Sequence, residues 1–177
     1  MSPPTEKLWD PLIRIFHWSI AVIVIANYFV NEEGDTWHQL LGYIAVAWLT
    51  VRFFWGFFGT GAARWSDFFP TRATLAAHIT SLINGEKYHR LGHSPLGGLV
   101  MILMMLCIAS LGVTGFMMEE IDYFWGEDWV ENLHSWIASS LIALVLIHVI
   151  AALFESYRLK ENLPLSMITG KRRKIEK

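Results

Sequence analysis

Four stretches of apolar residues, separated by polar connections, dominate the pattern of the chain. Each stretch has about 20 mostly apolar residues, the length that an α-helix needs to cross the hydrocarbon core of a bilayer. The third stretch contains no charged residue, the second contains Arg52, and the first contains Arg14 near its start. The pattern therefore predicts four membrane-spanning helices, at about residues 12–30, 38–58, 96–118 and 133–154.

The composition supports the same class of protein. Hydrophobic residues make up 54% of the 177 positions, whereas soluble domains contain about 45–50%. The four spans use about half of the chain, so we expect one small bundle over residues 1–177 and no separate soluble domain. This predicts an all-α, integral membrane four-helix bundle whose first helix serves as an uncleaved anchor. Its surroundings are the lipid bilayer, and nucleic acid is not an expected partner.

The lysines and arginines are distributed unevenly among the connections. The short connections 31–37 and 119–132 contain none, whereas the N-terminus, the long loop 59–95 and the tail 158–177 all contain them. Because basic residues stay on the side from which a chain is inserted, we expect both termini and the long loop on the cytoplasmic side. The loop residues concerned are Arg64, Arg72, Lys87 and Arg90.

The two outer connections are acidic. Such a surface would attract a basic soluble partner from the outer side, although connections without Lys and Arg also become acidic by default. Both interpretations stay open at this point. The carboxylates are those of Glu32, Glu33, Asp35, Glu119, Glu120, Asp122, Glu127, Asp128 and Glu131.

The long loop contains a further helical pattern, in the segment PTRATLAAHITSLINGE. A proline precedes its apolar residues and Gly85 follows them. The apolar residues at helical spacing are Leu75, Ile79, Leu82 and Ile83. The segment predicts an additional, amphipathic helix on the cytoplasmic surface of the membrane. We interpret His78, within this helix, as a surface histidine.

Two histidines stand near the ends of the fourth span, His134 and His148. Fourteen residues of α-helix rise roughly 21 Å and leave the two side chains about 40° apart, so both face the bundle interior at different depths. The predicted orientation places His38 at the depth of His134, and His17 at the depth of His148. A single histidine in a span is explained by hydrogen bonding between helices, whereas two opposed pairs are not expected by chance.

Opposed pairs of imidazoles at two depths suit haem better than zinc. A structural zinc site takes four ligands, usually with thiolates among them, and each level of this bundle offers two histidines. Haem iron takes one axial ligand on each face of the macrocycle, and the apolar macrocycle fills the space between helices. Two axial histidines leave no open position on the iron, which favours electron transfer over oxygen binding. We therefore expect two haems, stacked along the membrane normal.

Haem propionates require cationic or hydrogen-bonding partners. Arg52 lies fourteen residues after His38, so helical geometry places it on the same face, at the depth of the inner haem. A propionate would offset the cost of a buried arginine, and extension of the side chain to the inner headgroups is the alternative. Arg14, one turn before His17, is a second candidate. Gly42, one turn after His38, either admits the macrocycle or packs closely against another helix.

Several motifs together identify a family. They are WDPLIRIFHW, WHQLLGY, VRFFWGF, LGHSPLGGL, LHSWIASSLIALVLIHV and ENLPLSMITGKRR. In this order and spacing, the chain resembles the bacterial di-haem cytochrome b561 and nickel-hydrogenase cytochrome b subunit family over nearly its whole length. The resemblance implies two b-type haems, held by histidines of the first, second and fourth helices. The matching positions are His17, His38, His134 and His148.

The resemblance also implies a function, which differs among members of the family. We expect electron transfer in the bacterial cytoplasmic membrane between a quinone pool and a periplasmic redox partner, either a c-type cytochrome or a hydrogenase-like enzyme. An enzyme that oxidises superoxide at the outer face with quinone as acceptor is the main alternative. A haem-free membrane anchor is a lesser one. In the LGHSPLGG motif, His93 is a candidate for the inner haem's propionates or for a quinone headgroup, and a helix-start histidine beside a capping Ser94 is the alternative.

Overall fold

The computed structural model describes residues 5–86, 88 and 92–173. Its elements are β1 (Thr5–Lys7), α1 (Pro11–Phe29), α2 (Thr36–Phe58), α3 (Trp65–Phe68), α4 (Arg72–Ile83), α5 (Pro95–Glu120), α6 (Asp128–Leu159), α7 (Leu163–Thr169) and β2 (Lys171–Arg173), with 3₁₀ turns at Gly61–Ala63 and Asp122–Phe124. Some residues used for the predictions lie outside the described part of the chain. They are Lys87 and Arg90 of the long loop and Lys174 and Lys177 of the tail.

The all-α prediction is confirmed. Four helices, α1, α2, α5 and α6, are long and apolar enough to cross a membrane, and they coincide with the four predicted spans. The ends of α1, α2 and α5 differ from the predicted boundaries by two residues or fewer.

The helix α6 is longer than the span predicted at 133–154. It contains 32 residues, so it extends about 48 Å along its axis and exceeds the hydrocarbon thickness of about 30 Å. Hydropathy finds only the apolar part of such a helix. The added ends are polar, with Asp128 and Glu131 in the first turn and Arg158 in the last. The helix dipole favours negative side chains at the first turn and positive side chains at the last.

The predicted amphipathic helix is present as α4, but the interpretation of His78 as a surface histidine is wrong. Thr71 caps the helix in a reciprocal capping box with Thr74, which fixes its start. His78 is only 2% exposed, whereas Ile79 and Ile83 on the apolar stripe are exposed. The helix therefore turns its histidine toward the protein, while one edge of its apolar stripe is exposed, as it is in a helix that lies against lipid.

Residue contacts divide the chain into two compact units. The central unit contains Phe16–Phe53 and Leu103–Leu146, and the terminal unit contains Met1–Ile15, Phe54–Ile102 and Ile147–Lys177. Each of the four long helices contributes a segment to each unit.

The core of the central unit is a four-helix bundle. Ile23, Ala45, Ile108 and Leu141, one residue from each long helix, form its buried cluster. Glycine allows a close approach of α2 and α5, since a Cβ atom added at Gly112 would lie 2.4 Å from Val46 Cγ2. Small residues at such contacts are typical of packing between membrane helices, where lipid removes most of the hydrophobic driving force.

The terminal unit joins the two ends of the chain. The strands β1 and β2 pair antiparallel, with Glu6 opposite Arg172. Trp9 is buried and its indole nitrogen donates to the Ser166 hydroxyl at 3.3 Å. Gly170 ends α7 in the left-handed region at φ 78°, and a Cβ atom there would lie 2.9 Å from the Trp9 carbonyl oxygen. Both the backbone conformation and the close approach require glycine at this position.

Candidate haem-binding site

The position of His38 is fixed by polar contacts to its backbone. Asp35 precedes α2, and its carboxylate accepts a hydrogen bond from the backbone N–H of His38 at 2.6 Å, which makes Asp35 an N-cap. The Asn27 side chain, on α1, donates to the His38 carbonyl oxygen at 3.0 Å, and Asn31 donates in turn to Asn27 at 2.8 Å. A cap before α2 and a side chain of α1 therefore hold the first turn of α2, which carries this ring.

The ring of His134 is held by a neighbouring helix. Its Nδ1 atom and the Thr114 hydroxyl oxygen, on α5, are 2.8 Å apart. The Thr114 hydroxyl also donates to the carbonyl oxygen of Ser110 at 3.0 Å, so it accepts a hydrogen bond from Nδ1–H of the imidazole. This assigns the proton to Nδ1 and leaves Nε2 as the nitrogen that can bind a metal.

The two rings face each other in the central unit. Their centroids are 6.2 Å apart, and the ring planes are inclined by 52°. A metal–imidazole bond is about 2 Å long, so two imidazoles on opposite sides of one metal ion have ring centres roughly 6 Å apart. His38 and His134 therefore have the separation of two axial ligands of a single iron.

Two further observations agree with a macrocycle at this level. The Nδ1 atom of His38 is buried and has no hydrogen-bond partner among the described residues. A Cβ atom added at Gly42, one turn after His38, would meet nothing within 4 Å. Open space beside an opposed pair of imidazoles is what a flat apolar group between helices requires. The number of histidines also suits haem, because the four pyrrole nitrogens of haem bind its iron and leave two positions for protein ligands.

The predicted inner ligands belong to different units. His17, in the central unit, is partly buried, and its ring meets the Trp18 ring edge to face with 5.1 Å between centroids. His148, in the terminal unit, is also partly buried on α6. Their pairing stays a prediction.

The three candidates for propionate contacts lie in different surroundings. Arg52 is only 4% exposed, which argues against extension of its side chain to the headgroups. Arg14 donates to the carbonyl oxygen of Ile168 in α7. The His93 ring lies 4.8 Å from the Trp9 ring between centroids. Their roles toward haem stay predictions.

The capping role predicted for Ser94 is confirmed. Its hydroxyl oxygen accepts a hydrogen bond from the backbone N–H of Gly97 at 3.2 Å in the first turn of α5. Pro95 occupies the first position of this helix, where a missing N–H costs nothing. His93 therefore precedes a capped helix start, whatever else its ring contacts.

The acidic residues of the two predicted outer connections lie in the central unit. Asp35 serves as a cap, and Tyr43 donates to the Glu120 carboxylate at 2.9 Å. Eight of the nine carboxylates are exposed, and this gives the central unit a negative surface. They are Glu32, Glu33, Glu119, Glu120, Asp122, Glu127, Asp128 and Glu131.

Sequence reasoning did not identify Thr114 and Asn27 as residues of the site. Thr114 is 5% exposed and is the polar residue that reaches His134. Its signal in the sequence is weak, because a threonine in an apolar helix usually bonds its own backbone, as Thr114 also does. The nearby Gly112 and Gly115 mark a close helix contact only after the structure is known.

The central unit thus has the form of a membrane helix bundle with two opposed histidine rings, an arrangement that suits haem. Residues 8–170 match the family model of prokaryotic cytochrome b561, and the chain belongs to this family. No solved structure matches the chain.

Curated relatives include proteins named for their haem and for their enzyme. A probable Ni/Fe-hydrogenase B-type cytochrome subunit of Bradyrhizobium diazoefficiens is 24% identical, over 96% of this chain and 86% of the relative. Its counterpart of the same name in Rhizobium leguminosarum bv. viciae is 24% identical, over 93% and 87%. Cytochrome b562 of Cereibacter sphaeroides is 25% identical, over 86% and 89%. The protein is therefore a membrane cytochrome of b type, and its general activity is electron transfer through haem.

We expect replacement of Thr114 by valine to raise the midpoint potential of one haem by tens of millivolts. The hydrogen bond from Nδ1 of His134 makes the imidazole a stronger donor to iron, and this favours the oxidised state. Redox titration of the haem absorbance measures the change. Thr114→Ser, which keeps the hydroxyl, is the matched control and should retain the wild-type potential. Equal potentials in the valine variant and the wild type would contradict a role for this hydrogen bond.

Proposed function

We propose that the protein binds two b-type haems and passes single electrons between a quinone pool and a redox partner on the periplasmic side. His38 and His134 hold the outer haem, and His17 and His148 hold the inner one. The observation that carries this proposal is the separation of 6.2 Å between the His38 and His134 ring centroids. Two imidazoles on opposite sides of one iron would have about this separation between ring centres, because each bond from iron to an imidazole nitrogen is about 2 Å long.

The inner pair is supported by the length of α6. His148 follows His134 by fourteen residues in an uninterrupted helix, so both rings share one face at depths about 21 Å apart. One helix thus supplies a ligand to each haem. Arg52, Arg14 and His93 are the groups that would neutralise or bind propionates, since Arg52 in particular is buried within the protein.

The residues that would hold haem determine what the site can do. His38 and His134 would hold the outer haem, His17 and His148 would hold the inner one, and haem would supply one-electron chemistry there. Histidines on both faces of the iron would leave no position for oxygen. The arrangement of these histidines favours a path for electron transfer across the membrane, within a single domain over residues 1–177.

The distribution of charge supports the proposed orientation. We place the protein in the bacterial cytoplasmic membrane with both termini in the cytoplasm, because the basic residues lie in the termini and the long loop. The exposed carboxylates of the central unit then face the periplasm and attract a basic partner. A c-type cytochrome or a hydrogenase-like enzyme is the proposed partner, and relatives named as hydrogenase cytochrome subunits support the second.

The proposal is tested with the purified, haem-containing protein in lipid vesicles. A short-chain quinol should reduce its haems, and basic mitochondrial-type cytochrome c, added outside, should reoxidise them. The rate of reoxidation should fall steeply as ionic strength rises, because salt screens the attraction between exposed charges. In the variant Glu119→Lys/Asp122→Lys we expect this rate to fall about 10-fold at low salt and little at high salt.

The control is Glu86→Lys, which changes an exposed carboxylate of the long loop and should leave the rate unchanged. Failure of quinol to reduce the haems would contradict the proposed function. A protein that consumes superoxide with quinone as acceptor, and does not react with cytochrome c, would contradict the proposed partner and support superoxide oxidation. Absence of any b-type absorbance would support the haem-free anchor.

A further inference from the structure

His78 is a buried imidazole that no proposed haem contact uses. It lies on α4 and is 2% exposed. Neither ring nitrogen has a hydrogen-bond partner among the described residues. Leaving a buried polar group unsatisfied destabilises the folded protein. A histidine that serves only packing would be replaced at lower cost by an apolar residue of similar size, so the ring nitrogens require another explanation.

The charged groups beside His78 come from α6. Its Nε2 atom lies 3.9 Å from a carboxylate oxygen of Glu155, which is too long for a hydrogen bond. Arg158 donates to the same Glu155 oxygen at 3.0 Å. It also donates to the backbone carbonyl of Glu86, and this contact ties α6 to the loop after α4. On the loop side, the ring of Tyr88 lies 5.0 Å from the His78 ring between centroids.

This arrangement is suited to taking up a proton and passing it on. With the imidazole neutral, Glu155 and Arg158 balance each other. Protonation of His78 places an imidazolium beside a carboxylate already within 3.9 Å, so the new charge has a partner. Glu155 is partly exposed, with 15% of its side chain accessible, whereas the imidazole is not. The carboxylate therefore connects the buried ring with water.

The pair also lies close in sequence and space to a proposed haem ligand. Glu155 follows His148 by seven residues on α6, and both residues belong to the terminal unit. Seven residues rise about 10 Å and return to within about 20° of the same face. Glu155 thus lies two helical turns from His148, on the same side of the helix.

We propose that His78, with Glu155, is the group that exchanges protons with the quinone headgroup while electrons pass between quinone and the inner haem. This inference rests on the proposed function, because it assigns a proton path to the same quinone reaction. A benzoquinone-type headgroup is the ligand, and it must displace groups that cover the imidazole, which is 2% exposed, before one of its oxygens can bond to the ring.

The step balances with these groups alone. A quinol that becomes a quinone loses two electrons and two protons. The electrons leave one at a time to the redox partner, which is the oxidant, and haem would supply the one-electron chemistry. With each electron, one O–H bond of the quinol breaks and one N–H bond forms on His78. The imidazole then releases that proton toward Glu155 and water before it accepts the second, and this release requires Nε2 and the carboxylate to approach from 3.9 Å to hydrogen-bond distance. Reduction of a quinone uses the same groups in the reverse order.

The state of His78 sets the expected dependence on pH. Burial lowers the pKa of the imidazole below its ordinary value of 6.5, Glu155 raises it and Arg158 lowers it, and the lowering effects prevail. The ring is therefore neutral at pH 7 and able to accept a proton. As pH falls through this lowered pKa, the acceptor form is lost and quinol oxidation slows. Without the Glu155 charge the pKa falls further, so the midpoint of the profile moves to lower pH.

The experiment measures haem reduction by a short-chain quinol as a function of pH, in the full-length, haem-containing protein. His78→Asn should slow this reduction about 100-fold, while reduction by dithionite and the haem content stay at wild-type values. Glu155→Gln should shift the pH midpoint downward and lower the maximal rate. Electrode-driven infrared difference spectra with bound quinone and ¹³C-histidine should show one imidazole changing protonation, and His78→Asn should lack this band.

The control is Ser81→Ala, which removes the hydrogen bond to the His78 carbonyl at 2.7 Å and leaves the ring in place. It should keep the wild-type rate and pH profile. If quinol reduces the wild-type haems, and His78→Asn retains both the rate and the pH midpoint, the inference is overturned and the proposed function stands. If quinol does not reduce the wild-type haems, the proposed function itself fails. If His78→Asn loses haem, the test rests on Glu155→Gln. An unchanged midpoint in the pH dependence of haem reduction by quinol in Glu155→Gln would then overturn the inference.

Discussion

Replacement of His134 by alanine is expected to remove one of two haems and to leave the other in place. His134 and His38 are the opposed rings of the central unit, so the loss of either leaves the iron with a single protein ligand. Loss of a group that only orients a metal ligand already weakens binding about 10–100-fold, and loss of the ligand itself costs more. The purified variant should contain about one haem per chain by haemochrome absorbance.

His148→Ala should also contain about one haem per chain. The haem that remains should be the one held by His38 and His134. The two single variants should therefore differ in the midpoint potential and absorbance maximum of the haem that remains. Double variants test the pairing directly. His38→Ala combined with His134→Ala should keep one haem, because both changes affect the same site. His134→Ala combined with His148→Ala should keep none.

Trp136→Ala provides the matched control on α6. Trp136 lies two residues from His134, and its side chain is 74% exposed, so its replacement should leave both haems in place. Far-UV circular dichroism confirms that each variant keeps its helices. A folded His134→Ala protein with wild-type haem content would contradict the assignment of the ligand. Equal loss in the His38→Ala/His134→Ala and His134→Ala/His148→Ala proteins would contradict the pairing.

The fold was predictable because a membrane imposes a simple rule on sequence. A segment that crosses lipid must satisfy its backbone internally and present apolar side chains for about 20 residues. Hydropathy therefore located all four long helices. It did not locate the ends of α6, because residues such as Asp128 and Arg158 lie beyond the apolar part and are helical for other reasons.

Sequence patterns relate residues of the candidate site that one helix carries, and they do not relate residues that two helices bring together. The spacing of His134 and His148 follows from helical geometry alone. The contact between Thr114 and His134 depends on how α5 and α6 pack, and no pattern within either helix specifies it. The interpretation of His78 as a surface histidine was wrong for the same reason. Its helix is amphipathic, but the sequence does not say that His78 lies beside Glu155 of α6 while Ile79 and Ile83 are exposed.

The terminal strands were not predicted at all. Each has three residues, and Lys7 pairs with Lys171 across nearly the whole chain. Segments this short carry no detectable alternation of polar and apolar residues. Their pairing depends on the closure of the terminal unit around Trp9 and Gly170, which is a tertiary property.

The second large effect is expected at a position that is not a ligand. Replacement of Gly42 by leucine should abolish binding of the outer haem, because the new side chain enters the open space one turn from His38. The helix itself should not suffer. Glycine in a helix interior costs roughly 1 kcal/mol relative to alanine, and leucine is a good helix former. The variant should therefore fold at least as well as the wild type and contain about one haem per chain.

The test separates a macrocycle cavity from an ordinary lipid-facing gap. Leu40→Phe places a larger group on the same helix at an exposed position and should leave both haems in place. The haem that remains in Gly42→Leu should have the midpoint potential and absorbance of the haem retained by His134→Ala, since both changes affect one site. A Gly42→Leu protein with two haems and a wild-type spectrum would show that lipid, and not the macrocycle, occupies the space beside Gly42. It would also contradict the assignment of a haem between the opposed imidazoles of His38 and His134.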